Sequence, residues 1–270
     1  MSELHPLPPR TALFLPASNA RAIEKARGLA VDLVILDLED AVREADKDAS
    51  RAAAVAASAS FGAGRLAIRI NGTGHPAHGA DMIAVRDSAA AFVVLPKAET
   101  IRELHDLYSL IAKQVLAMIE TPRGVLAAAA IAAERSVAGL VAGTNDLAVG
   151  LRLPPGARRA SLAMALQTIV LAARAHGKWA IDGVFNGLED PAGLESECRE
   201  GRALGFDGKS LIHPNQIDIA AAAFAPSDAE VAAARALIES ATGGAERFEG
   251  RMIEAMHVAQ ARAVVGRARP

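Results

Sequence analysis

Val115-Leu116-Ala117-Met118-Ile119-Glu120-Thr121-Pro122 holds the organisation of the whole chain in a few residues. Five apolar residues without alternation read as a strand buried on both faces, the pattern of a parallel sheet. Glu120 puts a charge at the strand's end. Thr121-Pro122 then reads as a helix start, with a hydroxyl to accept the first N–H groups and proline at the first helical position. Arg123 to Glu134 continues with alanine-rich helical spacing. The same order of strand, polar end and helix recurs along the chain. The apolar runs are Ala12 to Leu15, Leu33 to Leu38, Leu66 to Ile70, Phe92 to Leu95, Val115 to Ile119, Val137 to Ala142, Trp179 to Val184 and Gly208 to Ile212. Eight such units before Phe224 predict an α/β chain folded as a (β/α)8 TIM barrel, where a doubly wound sheet would use fewer strands.

Further helix starts are expected at Ser18-Asn19, before Ala20 to Ala30, and at Thr100, before Ile101 to Ile111; Gly28, Gly177 and Gly205 read as helix stops. Residues 1–224 are expected to form the catalytic barrel. Residues 225–270, with a helix near Ala229 to Ala241 and a joint at Gly243-Gly244, are expected to form a helical extension that packs on a neighbouring subunit. The spacing of Met252 and Met256 reads as a packing face.

Composition narrows the function. The chain has 270 residues, 51% of them hydrophobic and 22% charged, which is ordinary for a folded domain. Its 29 basic and 31 acidic residues give a net charge of −2 without a block of one sign, and aromatics are 3%, so neither a nucleic-acid footprint nor a stacking platform is present. Cys198 is the single cysteine, which excludes an internal disulfide and fits a reducing cytoplasm. The longest apolar stretch, Gly124 to Ala133, is far short of the roughly twenty residues of a membrane helix. The start, MSELHPLPPR, lacks the basic-then-apolar order of a secretory signal.

Catalytic groups of such barrels lie at the C-terminal strand ends. Those ends carry Pro16, then Asp37, Glu39 and Asp40, then Arg69 and Asn71, then Lys97, Glu120, Asp146, Asp182, and finally Lys209 and His213. Carboxylates converging on one rim with Arg69 and Lys97 would repel unless a cation or charged substrate sat among them. Carboxylates without a thiolate cluster or a clear histidine set point to a hard divalent ion such as Mg2+. Among His5, His75, His78, His105, His176, His213 and His257 only His75 and His78 are close in sequence. Glu120 and Asp146, from adjacent strands, could share that ion, although each could equally serve a helix N-terminus. Lys97 reads best as paired with Glu39 or Asp40 beside the site.

Taken together, Arg10-Thr11-Ala12-Leu13-Phe14-Leu15-Pro16, Asp37-Leu38-Glu39-Asp40-Ala41-Val42, Lys47-Asp48-Ala49-Ser50-Arg51, Arg69-Ile70-Asn71, Leu95-Pro96-Lys97, Ile119-Glu120-Thr121-Pro122, Gly143-Thr144-Asn145-Asp146-Leu147, Ile181-Asp182-Gly183, Gly205-Phe206-Asp207-Gly208-Lys209 and Ile212-His213-Pro214-Asn215-Gln216 resemble the citrate lyase β-subunit-like family, within the aldolase and citrate lyase group of barrels. The resemblance runs in order over residues 10 to 240. It implies a Mg2+-dependent lyase that makes or breaks a carbon–carbon bond between a 2-oxo acid and an acyl thioester of coenzyme A or an acyl carrier protein. Citramalyl-, malyl- and citryl-thioesters are the substrates it implies.

By the same resemblance Glu120 and Asp146 are the metal ligands, and Arg69 holds the substrate's oxo or hydroxyl oxygen and its carboxylate. N–H groups of Gly143, Thr144 and Asn145 could cradle that carboxylate. A homotrimer or hexamer is also implied. Family members acting alone on coenzyme A thioesters commonly carry an aspartate and then proline near the C-terminus. Here the stretch reads Met252-Ile253-Glu254-Ala255-Met256, so Glu254 takes the acid–base place with a longer arm. Ala17 stands where a glycine often follows the first proline. Two alternatives stay open: a citrate lyase β-type subunit that works only with an acyl carrier protein partner, and a metal-binding barrel with thioesterase activity or none.

Overall fold

The computed structural model describes residues 7–268, so His5 and the first residues of the N-terminal segment lie outside the description. The chain divides into two compact units, residues 1–221 and 222–270. The division falls three residues before the boundary expected from sequence, inside the helix that ends at that boundary.

The first unit alternates strand and helix: β1 (Thr11–Pro16), α1 (Ala20–Ala26), β2 (Leu33–Asp37), α2 (Lys47–Ser58), β3 (Leu66–Arg69), α3 (His78–Asp87), β4 (Phe92–Leu95), α4 (Ile101–Ile111), β5 (Gln114–Ile119) and α5 (Pro122–Ala133). It continues through β6 (Val137–Ala142), α6 (Thr144–Gly150), α7 (Ala163–Ala175), β7 (Trp179–Asp182), α8 (Pro191–Leu204), β8 (Gly208–Leu211) and α9 (Ile217–Phe224). The eight strands are parallel and close in sequence order, β8 returning to β1 through Thr11, Ala12 and Leu13.

Local chemistry sets the ends. Thr100 and Glu103 form a reciprocal capping box that starts α4, which buries Leu104, Leu107 and Ile111 on one face. Thr121 accepts from Gly124 N and Pro122 opens α5. Gly205, at φ 101°, ends α8 in the left-handed region that favours glycine. Helix α1 stops at Ala26 rather than Ala30, with its cap at Arg27.

The continuous apolar runs split by period two. Ala12, Leu33, Ile35, Ala67, Phe92, Val94, Leu116, Met118, Val141, Trp179 and Ile181 pack as one core inside the barrel, with Phe92 and Trp179 rings 5.4 Å apart. The intervening residues, such as Leu13, Val34 and Leu36, are equally buried, on the opposite strand face. Two buried faces explain why the runs do not alternate.

The second unit holds α10 (Asp228–Ser240), a hairpin of β9 (Glu246–Phe248) and β10 (Arg251–Ile253), and α11 (Ala255–Arg267), which packs against α10. Among the described residues Met252 and Met256 pack no face of their own: one is in a strand, the other in a helix, and they are 70% and 64% exposed. Their spacing looked helical, but the break at Glu254 changes the period. Among the described residues no helix is long and apolar enough to cross a membrane.

Candidate active site

The period-two phase that builds the core also selects the site. One step beyond Ile35, Ala67 and Met118 on the same inward face stand Asp37, Arg69 and Glu120. A cavity of about 400 Å³ opens there, lined among others by Phe14, Asp40, Met118, Gly143, Thr144, Asn145, Asp146, Val184 and Ile212.

Arg69 is its fixed centre. Nε donates to Asp37 Oδ1 at 2.7 Å and Nη2 to Oδ2 at 2.6 Å, a bidentate pair that locks the guanidinium plane. Asp37 is itself set by accepting from the backbone N–H groups of Glu39 and Ala41. Nη1 lies 3.0 Å from Glu39 Oε2, off the line of a hydrogen bond, and 3.8 Å from Met118 Sδ. Phe14 faces the guanidinium from 5.0 Å. Among the described residues Nη2 makes no hydrogen bond beyond Asp37 Oδ2, so its second hydrogen is uncommitted there.

Lys97 bridges the remaining carboxylates. Its Nζ is 2.9 Å from Glu39 Oε1 and 3.3 Å from Asp146 Oδ2, and its backbone N–H donates to Glu120 Oε1 at 2.8 Å. The expected Lys97–Glu39 pair is therefore present, at a residue held at φ 49°. Burial, above all, and then the charge of Glu39 push the Glu120 carboxyl up to about 7, against the pull of the Lys97 N–H. Burial likewise raises Glu39, opposed by Arg69 and Lys97. Gly143 makes room for this arrangement: a Cβ there would lie 2.3 Å from Glu120 Cβ and 2.4 Å from Oε2.

Arg69, Glu120, Asp146, Gly143, Thr144, Asn145 and Asp40 thus share one cavity, with Glu39 and Lys97 holding its charged side. Glu254 belongs to the second unit, where its N–H donates to His257 Nδ1 at the start of α11. Asp182 and Lys209 do not join the rim as their strand-end positions implied. Asp182 follows inward-facing Ile181 by one residue and Lys209 follows Gly208, the partner of Ile181 across the strands, so both point outward, where Lys209 Nζ meets Asp182 at 3.1 Å and Glu197 at 2.7 Å. Asn71 also turns away, donating to Leu38 O and Asp81.

Sequence reasoning left Asp37 without a role and overlooked Phe14, Met118, Val184, Ile212 and Asn186, whose amide pairs with Asn145. Counting strand phase from the core would have found Asp37, Phe14 and Met118. Asn186 sits in a loop that no pattern marks. A second recess, of about 620 Å³, is lined by Ala17, Ser18, Arg43 and Asp46, and shares Ala41 with the first.

Among the described residues no three His, Cys, Asp or Glu side chains cluster as a ready-made metal site. The donors available to a cation in the cavity are carboxylate pairs, with water or substrate left to complete the shell.

A family profile described as HpcH/HpaI aldolase/citrate lyase matches residues 10–214. The chain is 40% identical to a (3S)-malyl-CoA thioesterase of Cereibacter sphaeroides, covering 98% of this chain and 96% of that protein. It is 36% identical to a citrate lyase subunit beta-like protein of Mycobacterium tuberculosis, covering 95% of this chain and 94% of that one. The crystal structure of the protein CitE from M. tuberculosis in complex with magnesium, acetoacetate and coenzyme A superposes with a TM-score of 0.86 at 35% identity, over 97% of this chain and 98% of that one. With the ordered motifs, the closed barrel and these likenesses in agreement, the chain belongs to the HpcH/HpaI aldolase/citrate lyase family.

Proposed function

We propose that the protein is a carbon–carbon lyase that cleaves or forms a 3-hydroxyacyl thioester of the malyl, citramalyl or citryl type, with a 2-oxo acid and an acyl thioester as the other partners. One observation carries the reading. Among the described residues Asp37, Asp40, Glu120 and Asp146 line one cavity with Arg69, while Glu39 and Lys97 pair with each other at its side. With Asp37 and Glu39 already met by Arg69 and Lys97, buried Glu120 and the more exposed Asp146 and Asp40 are the carboxylates left to face an added cation. The carboxylate donors fit Mg2+, which takes one or two protein carboxylates and fills its shell with water and substrate oxygens. Lys97 Nζ, 3.3 Å from Asp146 Oδ2, supports a preference for positive charge there. The magnesium and coenzyme A of the similar tuberculosis complex support the same assignment.

We assign Glu120 and Asp146 as the ligands. Bound there, Mg2+ supplies Lewis-acid polarisation of the oxo acid's oxygen. Arg69, fixed by Asp37, directs its uncommitted Nη2 hydrogen at the oxygen that gains charge as the bond breaks. The Gly143 N–H expected in the cradle is spent on Ile119 O at 3.0 Å, so the N–H groups of Thr144 and Asn145, at the start of α6 where no side chain caps, receive the substrate carboxylate. Phe14, Met118, Val184 and Ile212 exclude water from the apolar side. Glu254 acts as the proton-transferring group, and the recess sharing Ala41 offers room for the thioester's arm. We place the protein in the cytoplasm, where such thioesters are made, as a homotrimer or hexamer that light scattering would size.

Incubation with malyl-CoA and citramalyl-CoA, with and without Mg2+, tests the reading: Mg2+-dependent release of glyoxylate or pyruvate with an acyl-CoA is expected. A second reading, thioester hydrolysis, is favoured by the name of the Cereibacter relative. Release of free coenzyme A thiol and malate, without glyoxylate, would establish it instead. Turnover of carrier-bound substrate alone would mark a partner-dependent subunit.

A further inference from the structure

Lysine is among the residues least often buried, and an ammonium taken from water must be answered by good acceptors. Lys47, the first residue of α2, is 7% exposed. Its nearest carboxylate, Glu44, is 3.7 Å away with a side chain 76% exposed, too loose and too solvated to account for the burial. The close acceptors are two backbone carbonyls, Leu38 O and Glu39 O, both at 3.0 Å. These belong to the segment 38–42, bends and turns with no regular ladder, which carries Asp40 and Ala41 to the cavity and Glu39 to Arg69 and Lys97 beside it.

The same segment is gripped elsewhere. Asn71 Nδ2 also donates to Leu38 O, at 3.0 Å, and is held by Asp81, which Arg51 Nε pairs at 2.7 Å. Lys47 and Arg51 stand four residues apart on α2, one turn, so the motif Lys47-Asp48-Ala49-Ser50-Arg51 sends two cations to one loop by two routes. On the segment's other side Asp37 accepts the N–H groups of Glu39 and Ala41.

We propose that Lys47 is a positioning residue for the reaction: its buried ammonium fixes the Leu38–Glu39 backbone so that the Glu39 carboxylate meets both Arg69 and Lys97. The proposal rests on the lyase reading for its kinetic consequence but not for its structural one. Glu39 must reach two cations with one carboxylate, and Lys97 in turn reaches Glu120 and Asp146. A small shift of the loop would therefore propagate to the proposed metal ligands.

Two measurements on Lys47→Met test it. By hydrogen exchange, the Glu39 and Ala41 amides are expected to exchange about tenfold to a hundredfold faster than in the wild type, the loss of a charge-assisted hydrogen bond, while amides of β4 and β5 keep their protection. In the lyase assay kcat is expected to fall by about tenfold to a hundredfold, and adding Lys47→Met to Glu39→Gln is expected to cost less than about threefold more. Unchanged exchange at Glu39 and Ala41, or losses that multiply in the double variant, would overturn the proposal. If Lys47→Met does not fold, Lys47→Gln, neutral and shorter but polar, makes the same comparison. A wild-type protein without lyase activity would sink the reaction assigned above and leave the exchange result to decide the role of Lys47.

Discussion

Two charged networks lie at the strand ends, and one residue of phase separates them. Asp37, Arg69 and Glu120 continue the inward face of their strands and open on a cavity. Asp182 and Lys209 sit one residue out of that phase and close on themselves between β7, β8 and α8, where Asp182 also takes Arg159 Nη2 at 2.8 Å and Lys209 also takes Glu197. Both Asp182 and Lys209 are wholly buried. The inward network has carboxylates in excess and room beside them. In the outward one every charge of the Asp182–Lys209 pair is met by protein. The first is built to receive something, the second to hold the wall.

The sharpest break between the two comes from Glu120→Ala. Turnover is expected to fall by about a thousandfold or more, since a Lewis acid supplies several kcal/mol, and Mg2+ titration should lose its site. The fold should stay within about 1 kcal/mol of wild type, because a strained buried carboxylate is removed along with one hydrogen bond. Wild-type turnover in that variant would refute the ligand assignment. Lys209→Met inverts the pattern. Leaving Asp182 and Glu197 short of a buried cation should cost about 3–5 kcal/mol in urea unfolding, with Mg2+ affinity little changed in the folded protein.

Gly143→Ala tests how closely the inward network is packed. Its Cβ would collide with Glu120. A displacement of order 1 Å predicts about a hundredfold loss of kcat, with about 1–3 kcal/mol of overpacking. For Glu254→Asp we expect kcat to change by about tenfold, shortening the arm toward the family's usual acid; an identical rate would remove the second unit from the chemistry.

The smallest effect belongs to Cys198, beside the outward network. Burial pushes its thiol up from an ordinary 9.0 to about 11, with Lys209 pulling the other way. The native state holds this proton more tightly than the unfolded chain. The contribution to stability is therefore full below pH 9 and is lost as pH rises toward 11. In urea unfolding of wild type and Cys198→Ala across that window, the stability difference between the two should fall as pH rises. A native thiol alkylated as fast as the unfolded one at pH 8 would contradict the burial.

Much of this was legible in the chain. Every apolar run became a barrel strand, and Ile101 to Ile111 formed the helix its cap announced, because burial on two faces and helix capping are local patterns. Glu120 and Arg69 stand at strand ends as read, whereas Asp146 lies in the first turn of α6, past the end of β6, because the helix begins only two residues after the strand. Asp182 and Lys209 were misplaced by the same rule, since being at a strand end does not say on which face a side chain emerges. The hairpin Glu246–Ile253 and helix α11 were missed, because three-residue strands leave too few residues for a period to show.

The order of the eight βα units, their caps and the set of charged residues near the mouth are fixed by amino-acid identity, because each depends on neighbours a few positions away. Which of those charges share a cavity, that Asp37 rather than substrate takes two edges of Arg69, and that Lys47 ends beneath Glu39 were settled only by closing the sheet. Barrel closure fixes the register between strands, and register turns residues far apart in sequence toward the axis or away from it.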